Sequence, residues 1–276
     1  MLNRICSASA LLLCLTLAFF QPGDTFGKDD ELKPEDLIAR HIQSLGAPEV
    51  LAQITSRSIS GTSIFKFISG ATGQMTGNAQ WVSEKGKIGV VLRYGGTEYP
   101  GEHFGFDGKD VTVDTIKPGQ RSPLGDFLYS HDGIMKSELL GGTLNAGWPL
   151  LNKDSGAKIK SKKKKVDGRE LYEFEYLPKQ SMGEVKIKLY LDPANFRHVM
   201  TEFRVRQLLN NTMINYVLTE RFDDFKQVDG ITLPHKYSLS FLFDGGSGSL
   251  QTLHTFDFEK MGHNGRIDPQ FYAAQK

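Results

Sequence analysis

Alternation of apolar and polar residues is the dominant pattern of the chain from Ser56 onward. In RELYEFEYLP, residues 169–178, three aromatic side chains alternate with glutamates. In EVKIKLYLD, residues 184–192, aliphatic side chains alternate with lysines in the same way. A strand with this period has one buried and one hydrated face, which is typical of antiparallel sheet. About ten strands of this kind are predicted.

Asp-Gly pairs mark the predicted turns between strands, at 107–108, 167–168, 229–230 and 244–245. An open sheet of about ten strands has to curl, and its concave face would be apolar. The sequence therefore predicts a mainly β (α+β) fold, an incomplete and strongly curled antiparallel β-barrel around a hydrophobic cavity. The side chains predicted to line this cavity are Phe65, Phe67, Val90, Leu92, Phe104, Phe106, Val111, Val113, Tyr172, Phe174, Ile187, Leu189, Phe203, Tyr237, Leu239 and Phe241.

Two stretches have helical spacing instead. PEDLIARHIQSL, residues 34–45, has a proline in its first turn and one apolar stripe, which predicts an N-terminal amphipathic helix. SPLGDFLYSHDGIMKSELLGG, residues 122–142, predicts short helices between glycines. This insert is interpreted as a movable lid with glycine hinges, and the alternative is a plug that completes the core. The predicted lid residues are Leu124, Phe127, Leu128, Ile134, Met135, Leu139, Leu140 and Trp148.

The first 27 residues have the pattern of a cleaved export signal. Arg4 precedes an apolar run of 13 residues, Ala8 to Phe20, and small residues follow at a plausible cleavage site. This run is short for a membrane span, although a retained anchor is the alternative. Both cysteines, Cys6 and Cys14, lie within the signal. The predicted organisation is a signal peptide at 1–27 and a single domain at 28–276, exported as a soluble periplasmic protein.

Charge is nearly balanced over the whole chain, with a net value of +1, and this argues against a nucleic-acid partner. It is uneven locally, since six lysines fall between positions 158 and 165. The simpler interpretation of this run is a solvated hairpin loop with a charged edge. The alternative is an electrostatic docking patch for anionic headgroups or an acidic partner, formed by Lys162, Lys163, Lys164 and Lys165.

Motifs for catalysis are missing from the sequence. The seven histidines form no compact ligand pair, and neither a GxSxG nucleophile elbow nor a GxxxxGK[ST] phosphate loop occurs. The prediction is a protein that is not an enzyme and that needs no metal or other cofactor. Catalytic groups that converge from distant strands without a motif remain the alternative.

Several motifs resemble those of a known family, the LolA/LolB-type periplasmic lipoprotein carriers and their superfamily. FDGKDVTVDTIKPG (106–119) is similar to that family's Asp-Gly-Lys turn, strand and Pro-containing exit, and SPLGDFLYSHD (122–132) follows it as a Pro-led helix. LYLDPANFRHVMTEFRV (189–205) resembles a strand–Asp-Pro–strand step. FDDFKQVDGITLPHKYSL (222–239) resembles the family's Val-x-Gly-Ile-x-Leu-Pro step.

This resemblance implies a carrier that binds acyl chains of lipoproteins or other lipids and moves them through the periplasm toward the outer membrane. It also implies a helical lid, no cofactor, and membrane-associated proteins as donor and acceptor. A monomer is expected. The alternative is a periplasmic lipid or lipoprotein sensor, or a partner-binding module, that performs no transport. An outer-membrane β-barrel is a third possibility, disfavoured by the absence of paired aromatic girdles on the strands.

Overall fold

Twelve antiparallel strands form a single sheet in the computed structural model. The structure describes residues 32–151, 158–177, 184–246 and 248–273, and these belong to one compact unit. The predicted signal peptide at residues 1–27 lies outside the described residues. Within them, no helix has the length and the apolar content needed to cross a bilayer.

Helices are few and short. The α-helices are α1 (Pro34–Leu45), α2 (Pro48–Ala52), α3 (Pro123–Ser130) and α4 (Gly133–Lys136), and single 3-10 turns occupy Gly142–Leu144, Pro149–Leu151 and Pro269–Tyr272. The strands are β1 (Ser56–Ser69), β2 (Gln74–Glu84), β3 (Lys87–Tyr94), β4 (Gly101–Phe106), β5 (Val111–Val113), β6 (Lys158–Val166), β7 (Arg169–Leu177), β8 (Lys186–Leu191), β9 (His198–Leu209), β10 (Thr212–Val228), β11 (Ile231–Gly245) and β12 (Gly248–His263).

The order of strands in the sheet is β5-β4-β3-β2-β1-β12-β11-β10-β9-β8-β7-β6. The first and last strands of the chain pair at the centre, where Phe65 lies opposite His254. The short strand β5 and the lysine-rich strand β6 are the two edges, so the barrel is not closed. The prediction of an incomplete antiparallel β-barrel is confirmed, with twelve strands instead of about ten.

Sequence turn signals lie where the chain reverses. Asp167-Gly168 and Asp229-Gly230 join β6 to β7 and β10 to β11, and all four residues have positive φ. Two successive residues with positive φ are the requirement of a type I′ hairpin turn. Asn210-Asn211 makes the equivalent turn between β9 and β10 with φ values of 47° and 65°.

One end of the sheet is covered by α1, and we call it the helix end. The residue range of α1 is the one predicted, and Leu37, His41 and Leu45 are its buried side chains. The His41 ring nitrogen Nδ1 lies 2.8 Å from the Phe196 carbonyl oxygen, in the turn between β8 and β9. Antiparallel strands reverse at each turn, so the tips of β1–β2, β9–β10 and β11–β12 lie at the opposite end, which we call the open end.

The lysine run is a strand, β6, and not the loop of the simpler interpretation. Each β6 residue pairs with a residue of β7, including Lys162 with Glu173 and Lys164 with Leu171. An exposed edge strand can template aggregation, and lysines are a common protection against this. The charged edge that the sequence predicted is therefore present, but as part of the sheet.

Candidate functional site

The concave face of the sheet carries the residues that the sequence predicted to line a cavity. Cross-strand pairing aligns them on this face, for example Phe174 with Leu189 and Ile187 with Phe203. All sixteen belong to one apolar core. Among these sixteen residues, only Phe67 is partly exposed. That these residues form a ligand cavity is a proposal, which we argue below.

The insert, which with the 3-10 turns that follow its helices extends from Ser122 to Leu151, lies inside the curled sheet and occupies its interior. Every predicted lid residue belongs to the same apolar core as the concave face, and none is more than 2% exposed. Trp148 stacks on His198 of β9 with ring centroids 4.7 Å apart, and His41 of α1 packs against the edge of the same indole. The insert thus fills the hollow in this structure, and does not cover an empty one. This is the arrangement of the plug alternative.

Buried polar groups of the sheet hold the second half of the insert. Arg57 on β1 is 3% exposed and donates through Nη1 to the Thr143 carbonyl at 2.5 Å. Glu220 on β10 is fully buried and accepts from the Gly141 amide at 2.5 Å through Oε1. The same oxygen accepts from the Tyr237 hydroxyl at 2.6 Å. These bonds join the backbone of the insert to side chains of the sheet.

Strand β2 supplies two further bonds to this part of the insert. Trp81 donates through Nε1 to the Asn145 side-chain oxygen at 2.9 Å, and Ser83 accepts from the Ala146 amide at 2.9 Å. Asn145 is itself fully buried. We call residues 138–148 the latched segment, because each of these contacts would have to break before it could leave the sheet.

Two glycines of the latched segment lie in closely packed surroundings. A β-carbon on Gly141, which has φ of 83°, would lie 2.1 Å from Cζ2 of Trp81. A β-carbon on Gly147 would lie 1.7 Å from Oε2 of Glu138. The first distance is far below van der Waals contact with a rigid indole ring, so only glycine lets the backbone approach Trp81 this closely, whereas the flexible Glu138 carboxylate could shift away from a β-carbon at position 147. Close packing at Gly141 is therefore an additional reason for glycine there, and the hinge role stays a prediction.

Helix α3 is held differently, by its first turn and by rings. Ser122 caps it by accepting from the Gly125 amide at 2.9 Å. Further along, Phe127 packs on Tyr216 and Phe241, with ring centroids 5.6 and 5.4 Å apart. The described contacts between the last turn of α3 and the sheet are mainly apolar, since His131 and Gln207 approach only to 3.5 Å.

An open groove of about 640 Å³ runs beside α3 at the open end. This volume is in the usual range for small-ligand sites. Its wall is part apolar and part polar. The residues that line it are Gln120, Arg121, Pro123, Asp126, Phe127, Ser130, His131, Gln207, Tyr216, Phe243, Gly248, Ser249 and Leu250.

Exposed apolar side chains lie on the hairpin tips at the open end, the end of the sheet where this groove is found, and we call them the apolar rim. Leu208, Leu209 and Met213 are 66%, 56% and 43% exposed at the tip of the β9–β10 hairpin. Ile68, near the tip of β1–β2, is 46% exposed. Exposed apolar side chains at the same end of the sheet as a partly apolar groove are the type of surface that marks interaction sites.

Burial shifts the pKa of several charged groups near the insert. It raises the pKa of Glu220 to about 7, although the bonds from Tyr237 and Gly141 oppose the shift. It raises the pKa of Glu138 to about 7, against the bond from Gly86. Burial also lowers the pKa of Arg57 to about 10. Sequence analysis missed all three as residues that position the insert.

Histidines do not assemble into a metal site. His41 and His198 come closest, at 6.5 Å between ring centroids, and burial lowers the pKa of His41 to about 4. Among the described residues, no group of three or more His, Cys, Asp or Glu side chains is placed to hold a metal ion.

Three solved structures illustrate what the chain is similar to. A LolA superfamily protein from Nitrosomonas europaea is 13% identical, with a TM-score of 0.44, and the match covers 87% of this chain and 97% of that one. A DUF1329 family protein from Desulfovibrio piger is 10% identical, with a TM-score of 0.41 over 86% of this chain and 96% of the other. The MucA/MucB complex of Pseudomonas aeruginosa matches at 8% identity and a TM-score of 0.21, over 84% of this chain and 99% of that chain.

No family model matches the sequence, and no curated protein matches it. At this identity the structural matches concern the fold alone, and the function has to be argued from the chain's own residues.

Proposed function

We propose that the protein binds the acyl chain of a lipid or lipoprotein between α3 and the concave face of the sheet. The observation that supports this best is the groove of about 640 Å³, which opens directly onto the ring contacts between Phe127, Tyr216 and Phe241. A chain that enters the groove can replace Phe127 on these rings without breaking a described hydrogen bond of the latched segment.

The energetics favour a protein-bound route for such a ligand. A 16-carbon chain costs on the order of 12 kcal/mol to expose to water, at about 0.8 kcal/mol for each methylene. Apolar side chains that line the groove or form the apolar rim reduce this cost. The role that follows is a carrier that collects an acylated ligand from a membrane-associated donor and delivers it to an acceptor. The predicted export signal supports a periplasmic location for this carrier, and we propose that it acts as a monomer.

A second candidate is a lipid sensor or partner-binding module that does not transport. The latched segment favours it, because Arg57 and Glu220 hold the plug inside the sheet and limit the volume available to a ligand. One shallow site at α3 is enough for detection, whereas a carrier has to shelter the whole chain.

Lipid extraction tests whether the purified protein carries acyl lipids. The purified protein is extracted with organic solvent, and the extract is examined by mass spectrometry beside a mock purification. Acyl lipids that are enriched in the protein sample support the proposal. If none is enriched, and a fluorescent fatty acid also fails to bind saturably, the proposal is wrong. Transfer of labelled lipid between two liposome populations then distinguishes the carrier from the sensor.

A further inference from the structure

The convex face of the sheet carries a concentration of positive charge across β8 to β10. Lys186 pairs with Arg204 across β8 and β9, so the two side chains lie on the same face. Lys188 lies two residues farther along β8 and therefore also faces outward. Arg221 on β10 projects from this face as well, since it pairs with Met200. The whole chain has a net charge of only +1, so this clustering is a local property.

The β6–β7 hairpin folds onto this outer face and turns it into a cleft. Leu171 of β7 packs with Tyr190 and Met200 in a second, small apolar core, and Val166 adds to it. An ion pair of 2.6 Å between Asp167 and Arg221 ties the hairpin tip to β10. The cleft that results measures about 680 Å³. Six cationic side chains line it, against the carboxylates of Asp167 and Glu202.

Both arginines of the cleft already have carboxylate partners. Arg204 donates to the two oxygens of Glu202 at 2.7 and 2.9 Å, and Arg221 is paired with Asp167. The charge that remains available therefore belongs to lysines.

One buried carboxylate is shared among two lysines of the cleft, Lys164 and Lys188, and Lys162 of β6 outside the cleft lining. The side chain of Glu173 is 3% exposed, and its oxygens lie 3.3 Å from Lys162, 3.0 Å from Lys164 and 3.4 Å from Lys188. Burial alone would raise the pKa of Glu173, but the bonds from Lys164 and Tyr190 and the lysine charges lower it to about 2. Glu173 is thus ionised and offsets one of three positive charges.

Two other lysines of the cleft add to this excess. Among the ion pairs of the described residues, none gives Lys165 or Lys186 a carboxylate partner. Like charges held this close repel one another, and an anion in the cleft would remove the repulsion.

Protection of the sheet edge does not explain the whole cluster. Lysines on β6 fit that role, because β6 is an edge strand. Lys186 and Lys188 lie on β8, which has a neighbouring strand on each side. An interior strand needs no such protection, so edge protection does not account for these two lysines.

We propose that this cleft binds a phosphate-bearing ligand. Lysine ammonium groups suit phosphate as point charges that can adjust to its several oxygens. The hydroxyl group of Thr219, which also lines the cleft, can donate to the same anion. A phosphate in a soluble compound and a phosphate in a lipid headgroup share this chemistry. The site lies on the opposite face of the sheet from the concave core, so it is independent of acyl binding.

Two probes test the proposal and separate its sources of phosphate. Tripolyphosphate is titrated into the protein by isothermal calorimetry at low salt, and cosedimentation is measured with phosphatidylglycerol and phosphatidylcholine vesicles. We expect saturable binding of tripolyphosphate, of phosphatidylglycerol vesicles, or of both. The double variant Lys186→Gln/Lys188→Gln should weaken that binding by about tenfold or more.

A matched variant controls for the general loss of charge. Lys66→Gln/Lys260→Gln removes two exposed lysines from β1 and β12, outside the cleft, and should change the affinity by less than about twofold. Thermal unfolding of both variants confirms that they fold. Binding of tripolyphosphate alone indicates a soluble ligand, and binding of the anionic vesicles alone indicates a headgroup. Failure of both probes, or equal weakening in the two double variants, overturns the proposal.

Discussion

At the scale of single side chains, buried charged residues of the sheet determine the position of the latched segment. Glu220 and Arg57 occupy inward positions among apolar neighbours, and both bind the backbone of the latched segment. A buried polar group without a partner is costly, so these residues fix where the segment must lie. The alternation in NYVLTERFDDF does place Glu220 on the apolar face, which was a signal for a buried polar partner.

Ionisation of Glu220 should make stability depend on pH. The folded pKa of Glu220 is about 7, against 4.5 for an ordinary glutamate, so the folded state keeps its proton where the unfolded state has lost it. Its contribution to the free energy of unfolding is complete below about pH 4.5 and is lost as the pH rises toward about 7. Glu220→Gln removes this loss, which is of the order of 3 kcal/mol.

The measurement is urea unfolding of both proteins at pH 5 and pH 8. Relative to the unmodified protein, the Gln variant should be more stable at pH 8 than at pH 5. Glu102 and Glu138, whose pKa values burial also raises to about 7, titrate in both proteins and cancel in the comparison. A stability difference that stays constant between the two pH values would show that Glu220 is ionised in the folded state throughout.

Glycine 141 allows a second test of the latched segment at the residue scale. Gly141→Ala adds a β-carbon at 2.1 Å from Trp81 and should destabilise the fold by about 3 kcal/mol or more. Gly119→Ala is the matched control, because Gly119 also has positive φ, at 71°, and its β-carbon would meet nothing within 4 Å. It should cost about 1 kcal/mol. Equal losses in urea unfolding would mean that backbone strain, and not contact with Trp81, accounts for the effect.

At the scale of elements, the insert consists of two parts with different attachments. The latched segment is joined to β1, β2 and β10 by side-chain hydrogen bonds, whereas α3 is joined to β10 and β11 by ring packing. Apolar contacts can be exchanged for contacts with a ligand more easily than directional hydrogen bonds can. If the insert opens, α3 should therefore move and the latched segment should stay.

Hydrogen exchange followed by mass spectrometry can detect this difference. In the unmodified protein we expect amides at 127–131 to exchange faster than those at 139–145. Phe127→Ala removes the ring that packs on Tyr216 and Phe241. It should accelerate amide exchange in α3 by about tenfold or more, while the latched segment keeps its protection. Leu139→Ala, in the latched segment, is the control and should reverse the order. Acceleration of both parts together in Phe127→Ala would show that the insert opens as one unit.

At the scale of the whole molecule, the sequence predicted the sheet well and the insert only partly. Alternation identified which face of each strand is buried, and Asp-Gly pairs identified the turns at 167–168 and 229–230. Strand β6 was missed because lysines occupy both of its faces and leave no apolar alternation. The position of the insert could not be predicted, since an apolar stripe requires an apolar partner but does not specify whether it covers or fills the hollow.

Acyl binding also leads to a prediction for the whole molecule. The open end and the helix end of the sheet each have a partly buried phenylalanine, and the two can be compared. Phe243 and Phe225 are both partly buried against the apolar core, the former at the groove and the latter near the helix end. Phe243→Asp places a carboxylate in the groove. It should lower the affinity of the protein for a fluorescent fatty acid by about tenfold or more, since burying a charge beside a hydrocarbon chain is costly. Phe225→Asp should leave the affinity within about twofold. The affinity of each variant is measured by titration with the fluorescent fatty acid, and circular dichroism checks that both variants fold. If the two substitutions lower the affinity for the fatty acid equally, the fatty acid does not bind in the groove beside α3, and the proposed acyl site must be abandoned.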